Sequence, residues 1–354
     1  MMKVLIVGAG PAGLTTAVEL ARRGVVSDVI DLRESGSGLS RAVGIMPASL
    51  EILRPSGVTE RLLAEGMKFR HVRIYRHSSL ALALPLKGSG TDDGFILGLA
   101  QDRTETHLRD VLSELGGAVR YRTELADLRQ DANKVTVRMR DGAEADYDYV
   151  VGADGARSTT RGLLNIDFPG HDLPGTWSIA DVDAEGWPNT NAFTVCQLSG
   201  GYVVVVAPLA PKRFRVVSNT EDALAALPLK LNATNIRRAG EFKISIRQAA
   251  QYGVGRVFLV GDAAHCHSPV GGRGMNLGIA DGAELARRMV EGGLEGYGEV
   301  RHKVGKEIIA GSEAVRKVMT SGNPVTRFLV LGVLQAASFM PALQRRFAKK
   351  ILYG

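Results

Sequence analysis

The most constraining feature of this chain is the hexapeptide Gly8-Ala9-Gly10-Pro11-Ala12-Gly13. It lies between a short β-rich apolar run, Lys3–Val7, and a helically periodic stretch, Leu14–Arg23, whose apolar positions are Leu14, Val18 and Ala21. A further short strand, Asp28–Leu32, closes a βαβ unit. In such a unit Gly8 makes the tight turn, Gly10 lets the backbone approach a pyrophosphate, and Gly13 lets helix and strand pack closely. The pyrophosphate would rest on the helix N-terminus, where unpaired N–H groups and the dipole favour negative charge. Asp31, eighteen positions past Gly13, ends the second strand, where a carboxylate accepts hydrogen bonds from ribose hydroxyls and disfavours a 2′-phosphate. These residues predict a dinucleotide site, and by themselves they do not separate NAD from FAD.

The 354 residues suggest two domains, and a composition 45% hydrophobic and 23% charged is that of a globular protein with a sizeable core. Disorder, collagen and coiled coil are excluded. The longest apolar stretches, Val4–Val18 and Phe328–Leu343, are interrupted and fall short of the ~20 residues of a spanning helix. Met1-Met2-Lys3 resembles the start of a signal peptide, but the glycines that follow belong to the nucleotide turn. Two cysteines cannot build a disulfide framework, which fits a reducing cytoplasm. Lys and Arg exceed Asp and Glu by 7, a charge that attracts anions of every kind. With eight Tyr, two Trp and no zinc-finger, RRM or KH pattern, the sequence reads as a basic solvated surface without a nucleic-acid partner.

Two later blocks decide the dinucleotide. Val150-Val151-Gly152-Ala153-Asp154-Gly155-Ala156-Arg157-Ser158 follows the strand pattern Tyr147–Val151. Val257–Val260 runs into Gly261-Asp262-Ala263-Ala264-His265 and then Pro269-Val270-Gly271-Gly272-Arg273-Gly274-Met275-Asn276. Asp262 lies at a strand end, and the helix Asn276–Val290, with Leu277, Ala280, Leu285 and Met289 near one face, follows the glycine-rich run with a positive N-terminus.

Together the three blocks resemble the flavoprotein aromatic hydroxylases of the p-hydroxybenzoate hydroxylase type, over residues 1 to about 325. The resemblance implies an α/β fold: a Rossmann-like FAD-binding domain with an inserted, mostly antiparallel β-sheet substrate domain and C-terminal helices. It implies resident FAD, NAD(P)H as transient reductant, and transfer of one oxygen of O2 from a flavin C4a-hydroperoxide to an aromatic or polyketide-like small molecule. By the same resemblance Arg41 and Gln101 touch the flavin and Arg103 neighbours the pyrophosphate. Asp154, with Arg157 and Arg161 near it, links flavin and pyridine-nucleotide binding. The expected cofactor-binding set is Gly8, Gly10, Pro11, Ala12, Gly13, Asp31, Leu32, Arg33, Arg41, Gln101, Arg103, Leu125, Asp154, Asp262, Gly271, Gly274, Met275 and Asn276. Arg41 and Pro269 are candidate supports for the flavin-borne chemistry, with no dedicated base. Asp31 stands where Glu is more usual, which shortens the reach to ribose by a methylene. Gly36-Ser37-Gly38 and Gly88-Ser89-Gly90 lack a flanking strand and helix, so the reductant has no second Rossmann fingerprint.

Between the motifs, Arg70–Tyr75, Leu80–Leu86, Trp177–Asp183, Ala192–Ser199, Tyr202–Pro208 and Phe214–Thr220 read as strands of a sheet roofing the flavin. Only 108 positions separate Asp154 from Asp262, so the roof should be economical. The expected division is a discontinuous FAD domain at 1–69, 97–165 and 252–325, a substrate domain at 70–96 and 166–251, and a C-terminal helix at 326–354. Thr194, Cys196, Tyr202, Val204 and Val270 are candidate substrate-pocket residues, although a one-residue register error exchanges the two faces of a strand. His265-Cys266-His267 is read as packing rather than as a metal site.

Helical patterns occupy Glu299–Thr320 and Pro324–Ile351; Phe328, Leu331, Leu334 and Phe339 precede a basic end at Arg345, Arg346, Lys349 and Lys350. That last helix either packs across the flavin domain or makes peripheral contact with anionic membrane. A monomer or homodimer is expected. Two other readings keep the scaffold: a prenyl-chain (geranylgeranyl-type) reductase, and a non-enzymatic interaction protein like the GDP-dissociation inhibitors. A halogenase lacks support, since Trp177 and Trp187 form no Trp-x-Trp motif.

Overall fold

A computed structural model describes residues 2–36, 42–86, 94–268 and 271–323, together with Gly332 and Ile351. Arg41, Pro269, Val270 and most of the predicted last helix lie outside the described residues.

The apolar run Val4–Val7 is fully buried and sits centrally in a six-stranded sheet. Across that sheet the order is Gly253–Val254, Val257–Leu259, Tyr149–Gly152, Val4–Val7, Asp28–Ile30 and Val119–Arg120, parallel except for the first pair. Continuous apolar runs such as these are what a parallel sheet covered on both faces requires. All three motif blocks leave this sheet at the same strand ends. Gly8 has φ +108°, and a Cβ there would lie 2.3 Å from Ala153 O. At Gly13 a Cβ would meet Gly8 O at 2.0 Å. Both glycines are therefore dictated by close packing.

Two helices, Pro11–Ala21 and Gly274–Glu291, cross against each other beside the sheet. Small residues form the crossing: a Cβ at Gly278 would meet Ala12 Cβ at 3.2 Å, and one at Gly282 would meet Ala12 O and Thr16 Oγ1 at 2.6 Å. The helices Gln101–Glu114 and Tyr297–Met319 complete this unit. A three-stranded antiparallel meander, Leu125–Gln130, Val135–Met139 and Glu144–Tyr147, packs against the parallel sheet.

The roof is a seven-stranded sheet in the order Asn232–Phe242, Trp177–Glu185, Arg213–Ser218, Val203–Ala210, Ala192–Gln197, His71–Arg76 and Ser79–Pro85. Every pair is antiparallel except Ala192–Gln197 with His71–Arg76. Sequence periodicity misses Asn232–Phe242, the longest roof strand, because this edge strand is exposed almost throughout and carries no apolar alternation.

The glycine crossing makes a prediction of reversed sign. Gly→Ala within a helix ordinarily stabilises by about 1 kcal/mol. Gly311, in the open on Tyr297–Met319, should follow that rule, whereas Gly282→Ala should lose about 1–3 kcal/mol through overpacking. Urea unfolding of the two single variants measures both signs.

Candidate flavin site

Pro11 starts its helix with Gly10 as N-cap, and Leu14 N–H donates to Gly10 O. Nothing lies within 4 Å of a Cβ built at Gly10, in contrast to its crowded neighbours Gly8 and Gly13. This bare helix N-terminus is a cradle for an anion. Beside it stands the turn Gly261–Ala263, pressed on the same helix so closely that a Cβ at Gly261 would meet Ala12 Cβ at 2.8 Å. Asp262 is exposed there, and no hydrogen bond or ion pair among the described residues engages its carboxylate. It is thus available to a ligand hydroxyl. A second bare surface is the turn before Gly274–Glu291: a Cβ at Gly271 or Gly272 would meet nothing nearer than 3.8 Å. Two helix N-termini, one free acid and two glycine surfaces fit the pyrophosphate, ribityl chain and pyrimidine edge of FAD.

Other expected ligands are held differently. Asn276 is saturated: Oδ1 accepts from Met46 N–H and Ser49 Oγ at 2.8 Å, while Nδ2 donates to Gly44 O at 2.9 Å and Gly272 O at 2.8 Å. Its amide therefore clamps the glycine turn to the segment Gly44–Met46, leaving its backbone N–H for a cofactor. Met275 and Leu125 bury their side chains in core clusters. Asp154 accepts from Ser158 Oγ, Thr160 N–H and Thr160 Oγ1, so it builds its own turn, and Arg161 joins that turn to the next through Ala156 O and Ala263 O. Arg103 is paired with an acid, with Nε 2.6 Å and Nη2 3.0 Å from the Glu65 carboxylate. Gln101 accepts from Ala42 N–H and donates to Glu105, a buried acid absent from the sequence expectation.

Asp281, fully buried on Gly274–Glu291, was also missed. It accepts from Gly261 N–H at 3.1 Å, contacts His265 Nε2 at 2.6 Å and accepts from Arg301 Nε at 2.7 Å, fixing the turn that carries Asp262. Burial would raise its pKa, but His265 and Arg301 hold it below the ordinary carboxylate value.

The roof corrects four of the predicted pocket residues. Cys196 and Val204 belong to a cluster on the outer face, covered by Ala223 to Leu231, and Thr194 shares their parity. Burial pushes the Cys196 thiol up to about 12, so it is inert. Tyr202 is exposed in the turn before its strand. The inner face carries the odd-numbered residues of Trp177–Glu185, Ala192–Gln197, Val203–Ala210 and Arg213–Ser218, and the even-numbered residues of His71–Arg76. Ala207, Phe193 and Val72 pack on Met46, Phe69 and Ile96, while Val203 and Val217 pack with Trp177, Ile244 and Ile309. Between these contacts runs an apolar row across five strands: Ile179, Val217, Val205, Val195 and Ile74. Val217, Val205 and Ile74 are only half-buried.

Two polar groups border the row. On one side Arg215, 1% exposed, donates from Nε and Nη2 to the two oxygens of Asp181, each at 2.6 Å, and from Nη1 to Ala42 O at 3.1 Å. On the other, Gln197 is buried with Oε1 unpartnered. The strand alternation Arg213-Phe214-Arg215-Val216-Val217 signals such a cation, but its partner is not readable without the register. Among the described residues no cluster of His, Cys, Asp and Glu is placed to hold a metal ion, and no helix is long and apolar enough to cross a membrane.

A family model described as an FAD binding domain matches residues 1–312. An uncharacterized aromatic compound monooxygenase of Bacillus subtilis is 33% identical over 351 residues, covering 90% of this chain and 69% of that protein. Rifampicin monooxygenase of Streptomyces venezuelae is 33% identical over 347 residues, covering 91% of this chain and 72% of that protein. The crystal structure of p-nitrophenol 4-monooxygenase from Pseudomonas putida superposes with a TM-score of 0.88 at 23% identity, over 100% of this chain and 99% of that one, a likeness of fold. These names lend no support to the prenyl-reductase or interaction-protein readings.

Two substitutions test the site. Gly10→Ala should leave apoprotein stability within about 0.5 kcal/mol, because its Cβ meets only open space, yet weaken FAD at least several-fold in a fluorescence titration. Asp281 stabilises the fold above the unfolded carboxylate pKa near 4, and that stabilisation is lost as pH falls through its lower folded value. Asp281→Asn should therefore cost about 3–5 kcal/mol at neutral pH and flatten the acid limb of stability against pH, as read by urea midpoints.

Proposed function

The chain belongs to the FAD-binding-domain family of flavin-dependent aromatic monooxygenases, and from that premise we propose that it oxygenates an electron-rich aromatic or polycyclic small molecule held between its cofactor and the apolar row of the roof. The observation that carries the substrate class is that row: five aliphatic side chains abreast, partly uncovered on the face turned to the flavin unit. A flat apolar guest buries against such a surface, and phenolic or polyketide-like rings have the matching shape.

When bound, FAD supplies the redox chemistry, taking electrons from NAD(P)H and activating O2. The residues of this chain bind, orient and keep out water. The N–H groups of Ala12 and Gly13 would hold the pyrophosphate, and Asp262 the ribityl chain. The N-terminus of Gly274–Glu291 would favour negative charge on the pyrimidine edge. Aliphatic walls exclude water from the guest. Gln197 Oε1 would accept a hydrogen bond from a guest hydroxyl and so set its orientation. Asp181 is no free base, because its oxygens serve Arg215.

We read the chain as a flavin unit at 1–69, 97–165 and 252–325 with a roof at 70–96 and 166–251. Ser245–Gln248, paired on one side with Gly170–Asp172 and on the other with His265–Cys266, supports a stitch between roof and flavin unit. Two buried free thiols, Cys196 and Cys266, support a reducing cytoplasm, and we take the working species as a monomer or homodimer. The apolar and basic pattern of residues 324–351 supports a meeting point with lipid or a lipophilic guest.

The test is a screen of phenols and polycyclic aromatics for accelerated NAD(P)H oxidation, with mass spectrometry for a product heavier by one oxygen atom. Absence of stimulation and of product across the panel would overturn the reading. Gln197→Leu should raise KM for hydroxylated guests about three- to tenfold, the worth of one hydrogen bond, with FAD affinity unchanged.

A further inference from the structure

The apolar row of the roof has a neighbour on the same face. Two residues further along the strands, roughly 7 Å away, a second row runs through Val72, Phe193, Ala207, Arg215 and Asp181. The apolar half of that row is covered. Val72, Phe193 and Ala207 pack with Met46, Phe69, Leu86 and Ile96, and with one side chain from far along the sequence, Ile351. Met46, Phe69, Leu86, Ile96 and Ala207 are buried, whereas Val72, Phe193 and Ile351 are half-buried.

Most of this cluster is rigidly set. Phe69 is wedged over Gly98, where a Cβ would come within 2.1 Å of its Cζ, and its ring lies 6.4 Å from that of Phe193, tilted by 47°. Met46 reaches toward the cofactor: its backbone N–H donates to Asn276, and its Cε lies 4.0 Å from a Cβ built at Gly272 in the glycine turn. The cluster is thus a wall running from the glycine turn to the roof, and it closes one end of the space between them. Ile351 differs from the other members, because it comes from well beyond Tyr297–Met319 and no strand pairing among the described residues includes it. Near the opposite end of the row stands Gln197, four residues from Phe193 on one strand, about 13 Å of sheet. A guest whose hydroxyl is held by Gln197 therefore points its far end at Phe193 and Ile351.

We propose that Ile351 is a specificity-determining residue for the guest: its side chain completes the wall at the Phe193 end of the apolar row and so limits how many fused rings fit between that wall and Gln197. The proposal rests on the reading of the roof as a surface for aromatic guests, and it assigns the size limit of that site to one side chain. Packing favours it. Close-packed Phe69, Leu86 and Ile96 cannot give way without strain, whereas the half-buried Ile351 can be enlarged or trimmed with little effect on the fold. Stiffness favours it too, because a β-branched side chain has few rotamers and sets a definite boundary against the edge of a flat guest.

The experiment titrates the FAD-loaded protein, without NAD(P)H, with phenol, naphthol and hydroxyanthraquinone. Each affinity is read from the change in flavin absorbance, so no turnover is needed. Ile351→Trp should lower the ratio of hydroxyanthraquinone to phenol affinity about tenfold or more, with phenol itself within about twofold of the parent. Ile351→Ala, which strips the side chain to its Cβ, should raise that ratio about threefold, and naphthol should respond less than hydroxyanthraquinone in both variants. FAD affinity and urea midpoints should stay at the parent's values. Ile351→Phe is a smaller enlargement and preserves the test if the Trp variant fails to fold. The proposal is overturned if either the enlarged or the trimmed side chain leaves the ratio at the parent's value or moves it in the opposite direction. Loss of all three guests by one common factor, alongside a lower urea midpoint, would make Ile351 a structural prop and overturns it equally. Failure of the parent protein to bind any of the three guests would sink the aromatic-guest reading itself, a distinct result.

Discussion

The structure depends on one contact between two helices. Where Pro11–Ala21 crosses Gly274–Glu291, glycine lies against alanine and against bare backbone, so the axes approach as nearly as chains can. That approach brings two positive helix ends to one side of the parallel sheet, at the strand ends where Gly8, Ala153 and Gly261 turn the chain. Neither end alone would hold a molecule as long as FAD. Together they would accept its phosphates at one place and its ring at another, and Asp262 stands between them. Everything else in the flavin unit serves this arrangement: Asn276 pins the glycine turn to Gly44–Met46, and Asp281 pins the Gly-Asp turn to His265 and Arg301.

The flavin unit was largely legible in the sequence because its requirements are local. A turn that needs φ +108° at Gly8, or a helix start with no room for a side chain at Gly13, leaves its mark on single residues at fixed spacing. What the sequence could not disclose is which polar groups satisfy one another across long separations. Asp31 and Asn276 both stand where a ligand is expected, and both spend their hydrogen-bonding capacity on protein partners, Arg33 in one case and residues 44 to 49 in the other. Arg103 is likewise spent on Glu65, a surface partner that no motif announces.

The roof was legible as strands but not as faces. Even-numbered Thr194, Cys196 and Val204 and odd-numbered Val195, Val205 and Val217 are all apolar or small, because both sides of the sheet are covered. Alternation of polarity, the usual guide to orientation, is therefore weak on these strands. The exception is Arg215, whose charge on an inner face finds its counterion only through the pairing of Arg213–Ser218 with Trp177–Glu185. That buried pair, reaching Ala42 O, lets the sheet and the flavin unit recognise each other by charge in a setting where greasy surfaces alone would slide.

The parallel partnership of Ala192–Gln197 with His71–Arg76 has a consequence for how the molecule comes into being. The hairpin formed by His71–Arg76 and Ser79–Pro85 leaves the ribosome long before its other neighbour is synthesised. Until residues 192 to 197 emerge, it carries an open edge of unsatisfied amides and a greasy underside. The nascent chain must shelter that hairpin against the half-built nucleotide fold or with a chaperone, and its biogenesis is accordingly most vulnerable to wrong partners during this interval.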